Sequence, residues 1–333
     1  MTFKKTMFIV FGFLLLNALV FAKRIGVVEE ILNPNFLRVS HDTLFISDQY
    51  YVNFYSIERL NLLGKTGGKG EGPKEYQFQP AVRVFKDRIL VFAAFKIDLY
   101  TFKGELISEK KYDRLLFDVG YANGSYIVSI VEFQQGKTDF NLLNSNLKTI
   151  KTINSVKNPQ PSPLTKIKTY LVEPLNKFQC FDNKIYLVSS NQEGIFFTVF
   201  DNQGTLVKTI RRDSERIIIP EAYKIKKFDE FKSIPAVKKR WQGLSRLYDY
   251  TFPKYFPAIE DFRVTDGKIY IKTYKSLKSN VEYLVLDLDG KLLGKYFLPD
   301  IQEKFYDIKN NYFYYLQEDE EAETWEIHAV KIQ

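Results

Sequence analysis

The sequence predicts an all-β fold, a six-bladed β-propeller whose N-terminal strand closes the last blade and which carries a helical insertion between blades 4 and 5. Three observations predict it: one short two-strand unit recurs six times, aromatic residues make up 16% of the chain, and a spare strand precedes the first unit. Phe and Tyr dominate the aromatic set, and both favour strands over helices.

In chain order, residues 1–22 read as a removable export signal. Lys4 and Lys5 precede an apolar run from Met7 to Val20, and Val20-Phe21-Ala22 forms a small-residue cleavage site. The run is shorter than the ~18 residues of a spanning helix, so cleavage after Ala22 is expected in preference to a retained anchor. No cysteine follows the run to carry a lipid, and the single cysteine, Cys180, has no intramolecular partner. The expected compartment is periplasmic or extracellular, with no membrane span left after cleavage. Residues 23–333 then have to be stabilised by their core alone.

The formal charge is +8, or +6 without Lys4 and Lys5, with Lys and Arg scattered through most segments. Nucleic-acid binders concentrate their excess on one stripe or helix, so nucleic acid is not an expected partner.

The spare strand is "RIGVVEEIL" from Arg24, read as the fourth strand of the last blade. The six units follow: "LRVSHDTLFIS" from Leu37, "VRVFKDRILVF" from Val82, "FDVGYANGSYIVSI" from Phe117, "FQCFDNKIYLVS" from Phe178, "FRVTDGKIYIKT" from Phe262 and "YDIKNNYFYYL" from Tyr306. Each turn holds Asp, Asn or Gly, which tolerate positive φ. A third and a fourth strand come after each unit, as in "VEYLVLD" and "DLDGKLLGKYF", except the sixth, which is followed by a third strand near Trp325 to Val330 and takes the spare strand as its fourth. Four antiparallel strands per repeat is the pattern of a propeller blade.

Equivalent apolar positions Leu44, Ile89, Tyr126, Ile185, Ile269 and Phe313 are separated by 45, 37, 59, 84 and 44 residues. The 59-residue gap contains "KNPQPSPLTKIKTYLVEPL", expected as an extended surface loop. The 84-residue gap contains an insertion, about 211–257, with short helices expected near Glu221 to Phe231 and Ala236 to Leu247. Long insertions in compact repeat folds tend to be functional.

"LLGKTGGKGEGPKEY", Leu62 to Tyr76, is the most site-like stretch. As a Walker loop it fails, because the first glycine would fall at Arg59 and the following Gly67, Gly68, Gly70, Gly72 and Pro73 cannot open a helix. As a dinucleotide fingerprint it fails at Pro73. A sharp turn between the first and second blades is the reading it supports. The segment, with Gly70, Gly72, Pro73, Glu75 and Tyr76, resembles the G-x-G-x-G-P-x-E-[FY] signature of exported bacterial six-bladed β-propellers related to NHL-repeat proteins. The resemblance extends over the export signal, the repeats and the insertion, and it implies a fold and a compartment with no reaction attached. The family usually has glycine where Lys74 stands.

Other motifs fail on spacing or context. "DLDGK" at Asp287 lacks both terminal carboxylates of a calcium loop, and neither His41 nor His328 has a catalytic motif around it. Cys180 stands where other units have Val39, Val84, Val119, Val264 and Ile308, so it reads as a small core residue. The acidic run Glu318 to Glu323 reads as a solvated hairpin tip. No catalytic residue, metal or cofactor is assigned.

One constellation remains. The central residue of each inner strand is polar: Arg38, Arg83, Asp118, Gln179, Arg263 and Asp307. Symmetry predicts a ring around the central channel, in which three arginines would suit a carboxylate or phosphate. The alternative is that these groups satisfy one another between blades. The expected function is an exported binding or interaction module for an anionic carbohydrate or small acid. The alternatives are a metal-dependent enzyme of the sugar-lactone hydrolase or lyase type, and a protein-partner scaffold using the basic helical insertion.

Overall fold

The computed structural model describes residues 22–85, 87–132, 134–157, 166–189 and 194–332. The expected export signal, apart from Ala22, and residues 158–165 of the proline-rich connection lie outside the described residues.

Six antiparallel four-stranded sheets form the ring. Their inner strands are Pro34–Ser40, Ala81–Val84, Asp118–Ala122, Asn176–Phe181, Asp261–Thr265 and Tyr306–Lys309, numbered here as blades 1 to 6. Blade 6 is completed from the other end of the chain: Lys23–Val28 pairs with Thr324–Lys331, Arg24 opposite His328, so its outer edge is not left open. Inner and second strands are joined by two-residue turns in every blade but the second, where four residues lie between Val84 and Ile89, and the polar residues expected in these turns do adopt positive φ, as at His41, Asn123, Asp266 and Asn310.

Strand alternation sends successive side chains to opposite faces of a blade, and both faces are covered by neighbouring blades. The core is accordingly divided into six apolar clusters, one at each blade interface. Phe45 and Phe54 of blade 1 pack with Val82 and Val91 of blade 2, for example, and Phe197 of blade 4 meets Phe262 of blade 5 edge-on. A ring built this way has no single centre of burial. Each interface depends on both neighbours being present.

In a four-stranded meander, the turns after the first and third strands lie at one end, and the connections to the next blade lie at the other. Four features therefore share one face of the ring: the glycine-rich crossing after Leu62–Gly67, the remainder of the proline-rich connection, the helical insertion and the 3-10 turn Glu303–Phe305. The proline-rich connection is not loop throughout. Ile167–Tyr170 is a strand that pairs in parallel with Tyr248–Thr251, which fastens this connection to the far end of the insertion.

The outer strand of blade 4 runs Leu206–Asp213 and so includes Arg211. The insertion then forms helix α1, Glu221–Ser233, and helix α2, Pro235–Leu247. Pro235 begins α2, where its missing N–H costs nothing, and Ile234 is the joint between the helices. A small satellite core of Val172, Ile219 and Phe256 anchors the segment, with Phe256 stacked on Tyr274 of blade 5 at 4.3 Å between centroids.

Candidate functional site

The glycine-rich crossing is an anion cradle that is already occupied. The Gly72 N–H donates to Glu75 Oε2 at 2.8 Å. A Cβ at Gly70 would overlap the Glu75 carboxylate, and one at Gly72 would stand 2.9 Å from Oε2. These glycines are required because the chain wraps closely around its own carboxylate. Lys96 closes the turn by donating to the carbonyls of Gly72 and Glu75, each at 3.2 Å.

Tyr76 then drives inward to a fully buried polar cluster, donating to Asp98 Oδ2 at 2.8 Å and lying 2.9 Å from the Tyr100 hydroxyl. Burial pushes the Asp98 carboxyl up to about 6, against the hydrogen bond from Tyr76 and the charge of Lys96. Gly70, Gly72, Glu75 and Tyr76 of the sequence signature thus each have a mechanical purpose. Lys74 sits at φ 60°, a left-handed conformation that glycine adopts without strain.

The strand register corrects the ring predicted from sequence. Arg38, Arg83, Gln179, Arg263 and Asp307 lie opposite Phe45, Leu90, Tyr186, Tyr270 and Tyr314, but Asp118 lies opposite Ser129, two residues away from the matching position. Gly120, opposite Ile127, holds the ring position in blade 3. A Cβ there would stand 2.7 Å from Cys180 Sγ and 2.9 Å from Phe178 of blade 4, so glycine is what lets the two blades close. The same register places Tyr121, not Val119, level with Cys180. Burial pushes the Cys180 thiol well above its ordinary range, which suits a core residue.

The polar residues mostly do not converge on the channel axis. They reach forward to the next blade, because that is the face of the strand on which they lie. Arg83 donates to Asp118 of blade 3 at 2.7 Å. Gln179 bonds the backbone of blade 5 twice, donating to the Phe262 carbonyl at 2.7 Å and accepting from the Val264 N–H at 2.9 Å. Asp307 accepts from the Val39 N–H of blade 1 at 2.8 Å. Arg263 donates to Asp261 Oδ2 at 2.7 Å and to the Glu303 carbonyl at 2.6 Å, with Asp307 at 3.7 Å and the Tyr306 ring beneath it. These are buckles between blades, and deleting one partner of such a buried pair costs about 3–5 kcal/mol.

Arg38 differs. It is 6% exposed and bonds only the carbonyl of its own neighbour Leu37, at 2.6 Å, with no carboxylate in ion-pair range among the described residues. Its guanidinium and that of Arg83 share the ring of Phe36, at 5.3 and 5.7 Å. Burial, then the charges of Arg83 and Arg263, bring it down to about 9, and Asp307 and Glu303 only partly oppose this.

Glu303 was not anticipated from sequence, since it lies outside every repeat unit. Its carboxylate pairs with Lys177 of blade 4, and the 3-10 turn that carries it packs against the inner strand of blade 1. Burial alone would raise it, but Lys177 and Arg263, with Arg83, hold it well below the usual carboxylate range. Lys177 also bonds Asp261 at 2.9 Å.

The helical insertion is the opposite case. Neither helix has a buried residue. Phe228 and Trp241 hold the pair together at 5.8 Å between centroids, and Trp241 stacks on Tyr250. Ile225, Ile234 and Leu247 are about half exposed or more, at 58, 47 and 59%. From Glu221 to Leu247 there are eight Lys and Arg against three acidic residues, a net +5, so the cationic excess is more concentrated than the overall composition implies.

At the opposite face an open groove of about 860 Å³ lies between blades 1 and 2, lined by His41, Asp87 and Phe102 among others. The Ser40 hydroxyl is 3.0 Å from His41 Nδ1, and no carboxylate among the described residues bonds the His41 ring to complete a Ser-His-Asp relay. Asp201 and Asp287 accept bonds from backbone N–H groups of their own turns.

No protein-family model and no curated protein matches the chain. Solved structures that resemble it include regucalcin, a calcium-binding protein from Agrobacterium tumefaciens, at 10% identity and a TM-score of 0.44, covering 92% of this chain and 95% of that one. The WD40 domain of Neurospora crassa Pan2 is 7% identical with a TM-score of 0.43, covering 90% and 91%. BamB from Moraxella catarrhalis is 8% identical with a TM-score of 0.33, covering 89% and 71%.

Proposed function

We propose that this chain is an exported interaction module, of the NHL-related bacterial type its sequence resembles, that docks an acidic protein partner through the α1–α2 insertion. One observation carries the reading: two adjacent helices carry a net +5 and half-exposed Ile225, Ile234 and Leu247, yet bury no residue against their own fold. Apolar side chains rimmed by charge on an element that buries no residue are the usual composition of a docking surface. The cationic rim would steer an acidic partner, and the apolar residues would supply the contact. Export is read from residues 1–22 and places the partner outside the cytoplasm.

The test is a photo-crosslinking residue at position 225 or 247 of the full chain, expressed in its own cells, with adducts identified by mass spectrometry. Adducts to one acidic protein, lost when Lys238, Lys239 and Arg240 are changed together to Glu, are expected. Adducts that are absent, or that survive the charge reversal, would overturn the docking reading.

A second reading, an anionic small molecule or carbohydrate in the channel, is supported by Arg38 alone, since the other ring residues are engaged between blades. The lactone-hydrolase or lyase reading has less support. Carboxylates near the channel are engaged by Arg or Lys, as with Asp118 by Arg83 and Asp261 by Lys177 and Arg263, which leaves a poor set of donors for a divalent cation.

A further inference from the structure

We infer that the channel mouth at the crossing face is a site for a small carboxylate, and that Glu303 is its tethered occupant, which an incoming ligand must displace. The inference rests on the channel reading and is independent of docking by the helices.

Charge and position carry it. Four cations gather here from four blades: Arg38, Arg83, Lys177 and Arg263. Four carboxylates answer them: Asp118, Asp261, Asp307 and Glu303. Three of these carboxylates stand on inner strands and bond neighbouring blades, so they cannot leave without opening the ring. Glu303 stands on a three-residue turn outside any strand, and its side chain is 40% exposed. It is the one carboxylate of the four that can move. With it in place the cluster is neutral, and with it swung out the cluster carries one uncompensated positive charge.

Arg38 marks where that charge would be felt. A guanidinium has five N–H donors, and this one is buried with only the Leu37 carbonyl as a hydrogen-bond acceptor among the described residues. A buried cation without a carboxylate partner is costly, and the cost is removed if an anion reaches it. The Glu303 charge already acts on both Arg38 and Arg83. Because the present occupant is a carboxylate on a short flexible arm, a monocarboxylate such as acetate or a uronic acid is the ligand class that matches its charge and donor geometry. A dianion would leave the cluster with excess negative charge.

The experiment is calorimetric titration of acetate and of glucuronate into the full chain, into Glu303→Ala, and into Glu303→Ala combined with Arg38→Met. Removing the tethered competitor should tighten binding at least tenfold over the unaltered chain, and adding Arg38→Met should abolish that gain. Equal affinity in the unaltered chain and Glu303→Ala would overturn displacement while leaving a channel site in place. Binding by neither would overturn both the displacement and the channel reading. Should Glu303→Ala fail to fold, Glu303→Gln keeps the shape and loses the charge. Its melting temperature should rise with added acetate while that of the unaltered chain does not, and no rise would count against the inference equally.

Discussion

Two connections cross the same face of the ring and end in opposite states. The crossing from blade 1 to blade 2 is short and turned in on itself: glycines enclose the Glu75 carboxylate, Lys96 ties down its carbonyls, and Tyr76 plugs into the core. The crossing from blade 4 to blade 5 carries two helices with no buried residue, a net +5 charge and exposed apolar side chains. The glycine-rich crossing has the composition of a ligand site and is a structural knot. The helical crossing has the composition of an irregular interruption in a repeat and leaves apolar and cationic side chains exposed. The difference shows that a local motif reports a conformation, whereas availability for binding depends on what the rest of the fold has already supplied.

That contrast makes graded predictions. The largest effect is expected from Tyr76→Ala, which empties a fully buried aromatic site and removes one of the two tyrosine hydroxyls that donate to Asp98. Urea unfolding should show a loss of about 3–5 kcal/mol, and a loss no larger than that of a surface change would mean the knot is ornamental. Glu75→Ala removes the anion from its cradle and should cost about 1.5–3 kcal/mol by the same assay, the range for a hydrogen bond to a charged group.

Next comes pH. Asp98 holds its proton more tightly in the folded state, near 6, than its ordinary 3.8, so this group contributes stability at low pH and loses that contribution as pH rises from about 4 through 6. Comparing stability at pH 4 and pH 7 for the unaltered chain and Asp98→Asn should show the difference shrinking in the variant in that direction. An unchanged pH profile would remove Asp98 from the account.

By contrast, replacing residues 225–247 with a short Gly-Ser linker should cost no more than about 1–2 kcal/mol, since it alters loop closure and removes the contacts of Phe231 and Trp241 with Tyr250 but takes away no buried residue. Collapse of the β circular-dichroism signal would show that the helices belong to the core and that the comparison is false. Smallest is Lys74→Gly, which relieves a left-handed residue at the cost of extra freedom in the unfolded chain. A gain of about 0.5 kcal/mol is expected, read as a small rise in melting temperature.

The chain's sequence was sufficient for the ring. Alternating strands and positive-φ turn residues are local properties, and six repetitions of them leave little choice of architecture, so the blades, the N-terminal closing strand and the two helices were all legible. Repeat alignment failed in blade 3, where the unit was matched two residues out of register and Asp118 was set in the ring position that Gly120 holds. Only the close approach of Cys180 and Phe178 from the next blade shows why a glycine must be there. Partnerships were equally invisible. Whether a cationic side chain faces a channel or a neighbouring blade depends on residues 35 to 126 positions away, as with Arg83 and Asp118 or Lys177 and Glu303. The sequence by itself determined which segments are strands and which are turns, because backbone preference acts over a few residues. Tertiary structure alone decided which charges are satisfied, because in a closed ring an inner-strand side chain meets whatever the blade beside it presents: a carboxylate for Arg83, none for Arg38 among the described residues.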